Sequence, residues 1–288
     1  MLPTPILNLL RSAFPGQPIG DVAATSGGFS NLTLAAAIGE ERCVIKAATA
    51  PLKRADVRRE AQALRLLHGR DLPAPALLAL VEDDAWTIAV TRYVAGEHGL
   101  EVLSRAPEQL DALYHALGRL LAQVHGLPMT DMPPLAERID HALAALPALD
   151  LDPELLAVLR AALEHPIWHS QPAVLVHSDA GLHNLLWDGQ IAALLDWEWS
   201  GWGAPLIDLA WLAWTIRWRG LSPSRWCVFL SGYGAGPALA KRASPEDLRA
   251  LALGQIASIL ARVQGQPGAW DEWQRRLHWT LPLEFPAL

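Results

Sequence analysis

Along residues 19–47 apolar positions alternate with small or polar ones. The pattern breaks at Ser26-Gly27-Gly28 and turns again at Gly39-Glu40-Glu41, a period of two that predicts three antiparallel strands. From Pro51 the period lengthens. Val57, Ala61, Leu64 and Leu67 recur at helical spacing in an Arg-rich segment, and Gly69 stands where a helix would stop. Residues 76–93, "ALLALVEDDAWTIAVTRY", are two apolar runs around an acidic turn at Asp83 and Asp84, a hairpin pattern. Residues 1–92 therefore read as a five-stranded sheet with one inserted helix. A Gly-containing connector, 93–99, follows, and 107–126 and 152–165 then show helical periodicity with Pro near their starts. Residues 174–201, "VLVHSDAGLHNLLWDGQIAALLDWEWSG", interrupt this helical half with short strands "AVLV", "LLW" and "IAALLD", the last two turned at Asp188-Gly189. Helices resume at 204 and run to the end, with "SGYGAG" (231–236) as a loop between two of them. The predicted class is α+β: a small antiparallel β-rich lobe over 1–92, a hinge over 93–99, and a larger mainly α-helical lobe over 100–288.

Composition narrows the classes of function. Half of the 288 residues are hydrophobic, yet Asp196, Glu198 and Asp208 break up the most apolar region, so no run nears the roughly 18 apolar residues of a membrane span. The first residues, "MLPTPILNLLRSAF", lack the charged start and small-residue cleavage site of a secretory signal. Two cysteines, Cys43 and Cys227, make no disulfide framework and no Cys-x-x-Cys site, which fits a reducing, cytoplasmic setting. A net charge of -7 argues against a general nucleic-acid binder, which needs clustered Lys and Arg to release counterions. Of 23 basic residues only Lys46, Lys53 and Lys241 are Lys.

Asp179, Asn184 and Asp196 stand between apolar runs, where two oxygen-ligand side chains could meet with a third carboxylate close by. That set suits a hard divalent cation such as magnesium, with substrate phosphates and water completing the shell, and it leaves Asp179 to take a proton. Each of the three alone is equally a loop-capping residue of a turn. Lys46, a compact ammonium in a chain that writes positive charge as Arg, could serve phosphate oxygens and a carboxylate; the alternative is an edge-strand lysine. Gly27 and Gly28 could let backbone N–H groups approach phosphate or simply form a β-turn. Glu60 alone could be a solvated helix residue. His177 and His183 form no zinc pattern, since no third ligand stands at zinc spacing.

Taken together, His177-x-Asp179-x-x-x-x-Asn184 followed by Asp196-Trp197-Glu198 resembles the catalytic loop and metal-binding motif of the aminoglycoside phosphotransferase and choline kinase superfamily. These are the small-molecule relatives of protein kinases, with a two-lobed fold. "TSGGFSN" (25–31) resembles the phosphate-covering turn, "CVIKA" (43–47) the strand carrying the nucleotide lysine, and "VRREAQALRLL" (57–67) the helix carrying its glutamate partner. "TRYVAGE" (91–97) resembles the inter-lobe hinge, "LAQVHGLP" (121–128) a helix end common in this group, and "GAPLIDLAWL" (203–212) the helix start after the metal loop. The resemblance implies Asp179 as the group that accepts or orients the acceptor's proton, and Asn184 and Asp196 as magnesium ligands. It also implies Lys46, Glu60, Gly27, Gly28 and Ser30 as ATP-binding residues, and His177 and Asp208 as braces of the loop. Two departures stand out: Ala180-Gly181-Leu182-His183 replaces the second His and the Pro-Gly common in this loop, and the Trp set is heavier than usual.

A P-loop enzyme is excluded, because no Lys follows a Gly, and no Gly-x-Ser-x-Gly marks a serine hydrolase. A protein kinase is disfavoured, since "DWE" stands for "DFG" and no "APE" follows. The expectation is an ATP- and magnesium-dependent kinase of a small-molecule hydroxyl, with a non-catalytic nucleotide-binding module of the same fold as the alternative. Trp197, Glu198, Trp199 and Trp202, with the acidic balance, favour a cationic acceptor such as an aminoglycoside, choline or thiamine, held by indole faces and carboxylates; packing of the lobe is the competing role for the indoles. Nothing in the sequence bears on oligomeric state.

Overall fold

The computed structural model describes residues 2–24, 32–127, 132–170, 172–234 and 243–287. Gly27, Gly28 and Ser30 lie outside the described residues. The chain divides into two compact units, 1–105 with 182–200, and 106–181 with 201–288. The hairpin after the catalytic-loop motif thus packs with the N-terminal residues, a grouping different from the boundaries drawn at 92 and 99.

In the first unit the alternating pattern becomes strands β1 (Ile19–Ala24), β2 (Leu32–Ile38) and β3 (Glu41–Ala48), and the hairpin becomes β4 (Leu77–Glu82) and β5 (Thr87–Arg92). They form one antiparallel sheet in the order β1-β2-β3-β5-β4. The period of two decides which side of β3 faces which helix. Cys43, Ile45 and Ala47 join Ile38, Ile88 and Val90 in a core closed by Ile6 and Leu10 of α1 (Thr4–Ala13). Helix α1 is absent from the expectation of one helix in this region; its apolar positions come at helical spacing, and sheet packing completes it. Ala48 and Ala89 instead meet Val57 of α2 (Pro51–Leu67), so Lys46 belongs to the face that α2 covers. Helix α2 ends at His68, and Gly69, at φ +74°, turns the chain away.

The same unit contains a second sheet, β6 (Glu97–His98), β8 (Leu185–Trp187) and β9 (Ile191–Leu194), in the order β6-β8-β9. The Asp188-Gly189 turn joins β8 to β9, with Gly189 at φ +104°. Helix α3 (Gly99–Arg105) closes the unit.

The second unit is mainly helical. Strand β7 (Val174–Val176) pairs with β10 (Gly201–Gly203), a strand that the pattern did not predict, so the three strands read together in 174–196 belong to two sheets. Helix α4 (Leu110–His125), followed along the chain by α5 (Ala136–Ala145) and α6 (Pro153–Leu163), packs against α8 (Ser224–Tyr233) at backbone contact. A Cβ on Gly118 would lie 2.2 Å from the carbonyl oxygen of Phe229, and one on Gly232 2.0 Å from that of His115. Helix α7 (Leu206–Trp218) is buried all round from Leu206 to Ile216, and the Pro245–Val263 helix is buried along most of its length. No helix among the described residues is long and apolar enough to cross a membrane. An antiparallel sheet with a larger helical part is the α+β class that the pattern predicted.

Candidate active site

The first unit gathers one amine and three carboxylates. Lys46 points from the α2 face of β3; Glu60, three residues past Val57, is on the buried face of α2, and their Nζ and Oε2 atoms stand 2.6 Å apart. Asp196, 150 residues further on, brings Oδ1 to 2.8 Å from Lys46 Nζ, and Glu198 brings Oε2 to 3.8 Å. Burial opposes the charge on Lys46, but the Asp196, Glu60 and Glu198 carboxylates outweigh it and hold the ammonium well above its ordinary range. The carboxylates pay for their surplus. Burial, then repulsion from Asp196, pushes Glu198 up to about 7, and burial raises Glu60 against the pull of Lys46. One amine against three acids is a site short of positive charge.

Asp196 follows β9 in a left-handed conformation, φ 63°, a position that costs a non-glycine residue on the order of 1 kcal/mol and that clusters at functional sites. Its side chain, 39% exposed, is the most open of the group. Asn184 ends a short 3-10 turn, is buried, and its carbonyl accepts from the N–H of Leu195 at 2.7 Å, which ties the two flanks of the hairpin together. The donor set suits magnesium: an amide oxygen and a carboxylate, with the carboxylate reachable from solvent. No group of three or more His, Cys, Asp or Glu among the described residues is arranged to hold a metal by itself.

The sequence reading put Trp197, Glu198, Trp199 and Trp202 beside the acceptor. Trp197 is buried, with its indole N–H donated to the carbonyl of Leu194, and Trp202 is buried in β10 opposite Leu175. Glu198 is buried and faces Lys46. Three of the four are thus buried, two as indoles within the apolar packing and Glu198 towards the Lys46 ammonium. Trp199 is half-buried.

In the second unit the loop after β7 is held by its main chain. Asp208, fully buried at the start of α7, accepts the N–H of His177 at 2.9 Å and of Ser178 at 2.5 Å. Gln255 donates to the carbonyl of Ser178 at 3.1 Å, and Ser178 takes a positive φ of 65°. His177, buried, accepts the N–H of Asp179 on Nδ1 at 3.2 Å. Behind Asp208 stands His125, its Nε2 3.0 Å from Oδ2 and its Nδ1 2.7 Å from the hydroxyl of Tyr233. The tautomer that satisfies both bonds carries its proton on Nε2, so Tyr233 donates to Nδ1. Burial, reinforced by Asp208, raises the Tyr233 phenol. Asp179 is half-buried, and the indole N–H of Trp211 donates to its Oδ1 at 2.8 Å. Gln255 stands in no motif of the sequence; Trp211 appeared only within "GAPLIDLAWL", Tyr233 only within "SGYGAG" and His125 only within "LAQVHGLP".

The model of the phosphotransferase enzyme family matches residues 21–238. The chain belongs to this family. It is a small-molecule phosphotransferase. Among solved structures it is similar to the aminoglycoside phosphotransferase APH(4)-Ia, at 20% identity over 96% of this chain and 97% of that one, with a TM-score of 0.68. It is also similar to APH(2")-IIa, solved as a gentamicin complex, at 15% identity over 96% of each chain and a TM-score of 0.70. A third is an aminoglycoside-3'-phosphotransferase of type VIII, at 22% identity over 88% of this chain and 97% of that one, with a TM-score of 0.66. At such identities the likeness is one of fold. Among curated proteins none matches in sequence.

Proposed function

We propose that this phosphotransferase moves the γ-phosphate of ATP to a hydroxyl group of a small molecule, in the presence of magnesium. The observation that carries the reading is the Lys46 cluster: an ammonium within 2.8 Å of carboxylates from a helix and from the loop after a hairpin. Variants of APH(4)-Ia have been solved as ternary complexes with ADP or AMP-PNP and hygromycin B, which supports a nucleotide donor and a hydroxyl-bearing acceptor here.

In this reading Lys46 grips the α- and β-phosphates while Glu60 holds it in place, and Asn184 and Asp196 would hold magnesium, which when bound would supply charge neutralisation for the transfer. The acceptor oxygen attacks the γ-phosphorus, its proton passes to the Asp179 carboxylate, and ADP leaves with the electron pair of the broken P–O bond. His177 and Asp208 keep Asp179 in place through the loop backbone. Gly27, Gly28 and Ser30, outside the described residues, retain their assignment to the turn that covers the phosphates. We take the acceptor to be a cationic alcohol of the aminoglycoside, choline or thiamine kind. This rests on the net charge of -7 and on relatives solved with gentamicin and hygromycin B, and no longer on Trp197, Glu198 and Trp202.

A panel of such alcohols, incubated with ATP and magnesium and followed by ADP release and product mass, tests the proposal. The expected result is a phosphorylated alcohol whose formation requires both. Magnesium-ATP binding with no transfer to any member would count against the acceptor class, and absence of nucleotide binding would count against the donor.

A further inference from the structure

The bonds from Asp208 and Gln255 hold the main chain of the loop at His177 and Ser178. They leave the side-chain torsions of Asp179 to be set by something else. We infer that Trp211 is a positioning residue for phosphotransfer: its indole N–H orients the Asp179 carboxylate, and a tryptophan stack between α7 and the Pro267–Thr280 helix keeps that indole in place. The inference rests on the reading of Asp179 as the group that takes the acceptor's proton.

The chemistry of the donor matters. An indole N–H is a donor only and its hydrogen lies in the ring plane, so unlike a hydroxyl or a carboxamide it cannot reverse its role or rotate its proton away. At 2.8 Å from Oδ1 the bond has the length of a charge-assisted hydrogen bond to a carboxylate. A Trp side chain has only two torsions, and here packing closes both. Trp211 stacks on Trp214 at 4.6 Å between centroids and 13° between planes, and on Trp273 at 6.2 Å and 19°. Trp214 stacks in turn on Trp218 at 5.7 Å. The Arg276 guanidinium lies 4.4 Å over the ring of Trp273 and 5.2 Å from that of Trp218, and Glu272 fixes it through a 2.7 Å bond from Nε. The spacing 211, 214, 218 puts the three α7 indoles along one face of the helix. A core needing only apolar volume has no use for an indole nitrogen at the Asp179 end of this stack; Leu or Phe would fill the space. Orientation of the reacting carboxylate is where such a bond acts, since small misplacements of a catalytic group lower rates steeply.

The test uses the full chain. Trp211→Phe keeps the stacked ring and removes the N–H. It should lower kcat by about 10- to 100-fold, the scale of one hydrogen bond to a charged group, while KM for ATP and the thermal shift with magnesium-ATP stay at wild-type values. In an Asp179→Ala background, the same substitution should change residual transfer by less than about twofold, as residues acting as one unit do. The indole N–H resonance of Trp211, assigned by sequential correlation in a 15N-labelled sample, should move in Asp179→Ala; this readout needs no folded Trp211 variant. An unmoved resonance, a Trp211→Phe enzyme within about threefold of wild type, or an equal loss in both backgrounds would overturn the inference and leave the phosphotransfer reading standing. Near-normal transfer by Asp179→Ala would overturn both.

Discussion

Glu198 shows how a residue's neighbours decide its chemistry. In the sequence it is an acid between two tryptophans; in the fold it is a buried acid sharing one ammonium with Asp196 and Glu60. Burial and then Asp196 raise it to about 7. A carboxyl whose folded pKa is raised binds more protons in the folded than in the unfolded state. Its contribution is therefore fully present below the ordinary carboxyl range and is lost as pH rises towards 7. For the protein without nucleotide or metal, Glu198→Gln should melt at or below the wild-type temperature at pH 5 and above it at pH 8. The difference at pH 8 should be on the order of 1–3 kcal/mol, from 1.36 kcal/mol per pKa unit. Melting curves in EDTA at the two pH values check it, and equal curves at pH 8 would mean that the acids share their protons differently.

Between elements, the contact of α4 with α8 sets the geometry behind the loop after β7. Gly118 and Gly232 let the two backbones touch, and that approach brings His125 to Tyr233 and to Asp208. A methyl at either glycine would meet a backbone carbonyl, which cannot move aside without separating the helices. Gly118→Ala should destabilise the protein by at least about 1–3 kcal/mol, the range for overpacked cores. Tyr233→Phe removes one buried hydrogen bond and should cost about 1–2 kcal/mol without moving the helices. Urea unfolding of both variants distinguishes the two; equal stability of Gly118→Ala and wild type would show that the helices can part freely.

At the scale of the whole molecule, the residues proposed for nucleotide and metal and the carboxylate proposed to take the proton belong to different compact units: Lys46, Glu60, Asn184 and Asp196 to one, Asp179 to the other. Substitutions in the two units should therefore fail differently. Asp196→Ala should lose most of the stabilisation that ATP confers in the presence of magnesium, because a ligand at free concentration L that binds only the folded state stabilises by RT ln(1 + L/Kd), which vanishes once Kd rises above L. Asp179→Asn should keep that stabilisation and lose transfer. Thermal shifts with and without magnesium-ATP, set beside transfer rates, check the pair. An unchanged shift in Asp196→Ala would remove Asp196 from the metal site.

What the sequence determined by itself is what is written locally along the chain. The period of two in 19–47 and the helical spacing of Val57, Ala61, Leu64 and Leu67 report which side of each element is buried, and they placed the sheet and α2 within a residue or two. The spaced motif from His177 to Glu198 carried the resemblance to the family that the chain belongs to, since residue types and intervals are one-dimensional facts. Pairing is not. Lys46 and Asp196 stand 150 positions apart, and Trp211 and Asp179 stand 32 apart, so no periodicity links them. The same limit explains β10, which exists because β7 offers an edge to Gly201–Gly203, and the fate of Trp197 and Trp202, whose indoles suited a binding face or a core equally. Tertiary structure decided between these because burial and hydrogen bonding depend on what lies a few ångströms away in space, and the chain order does not record that distance.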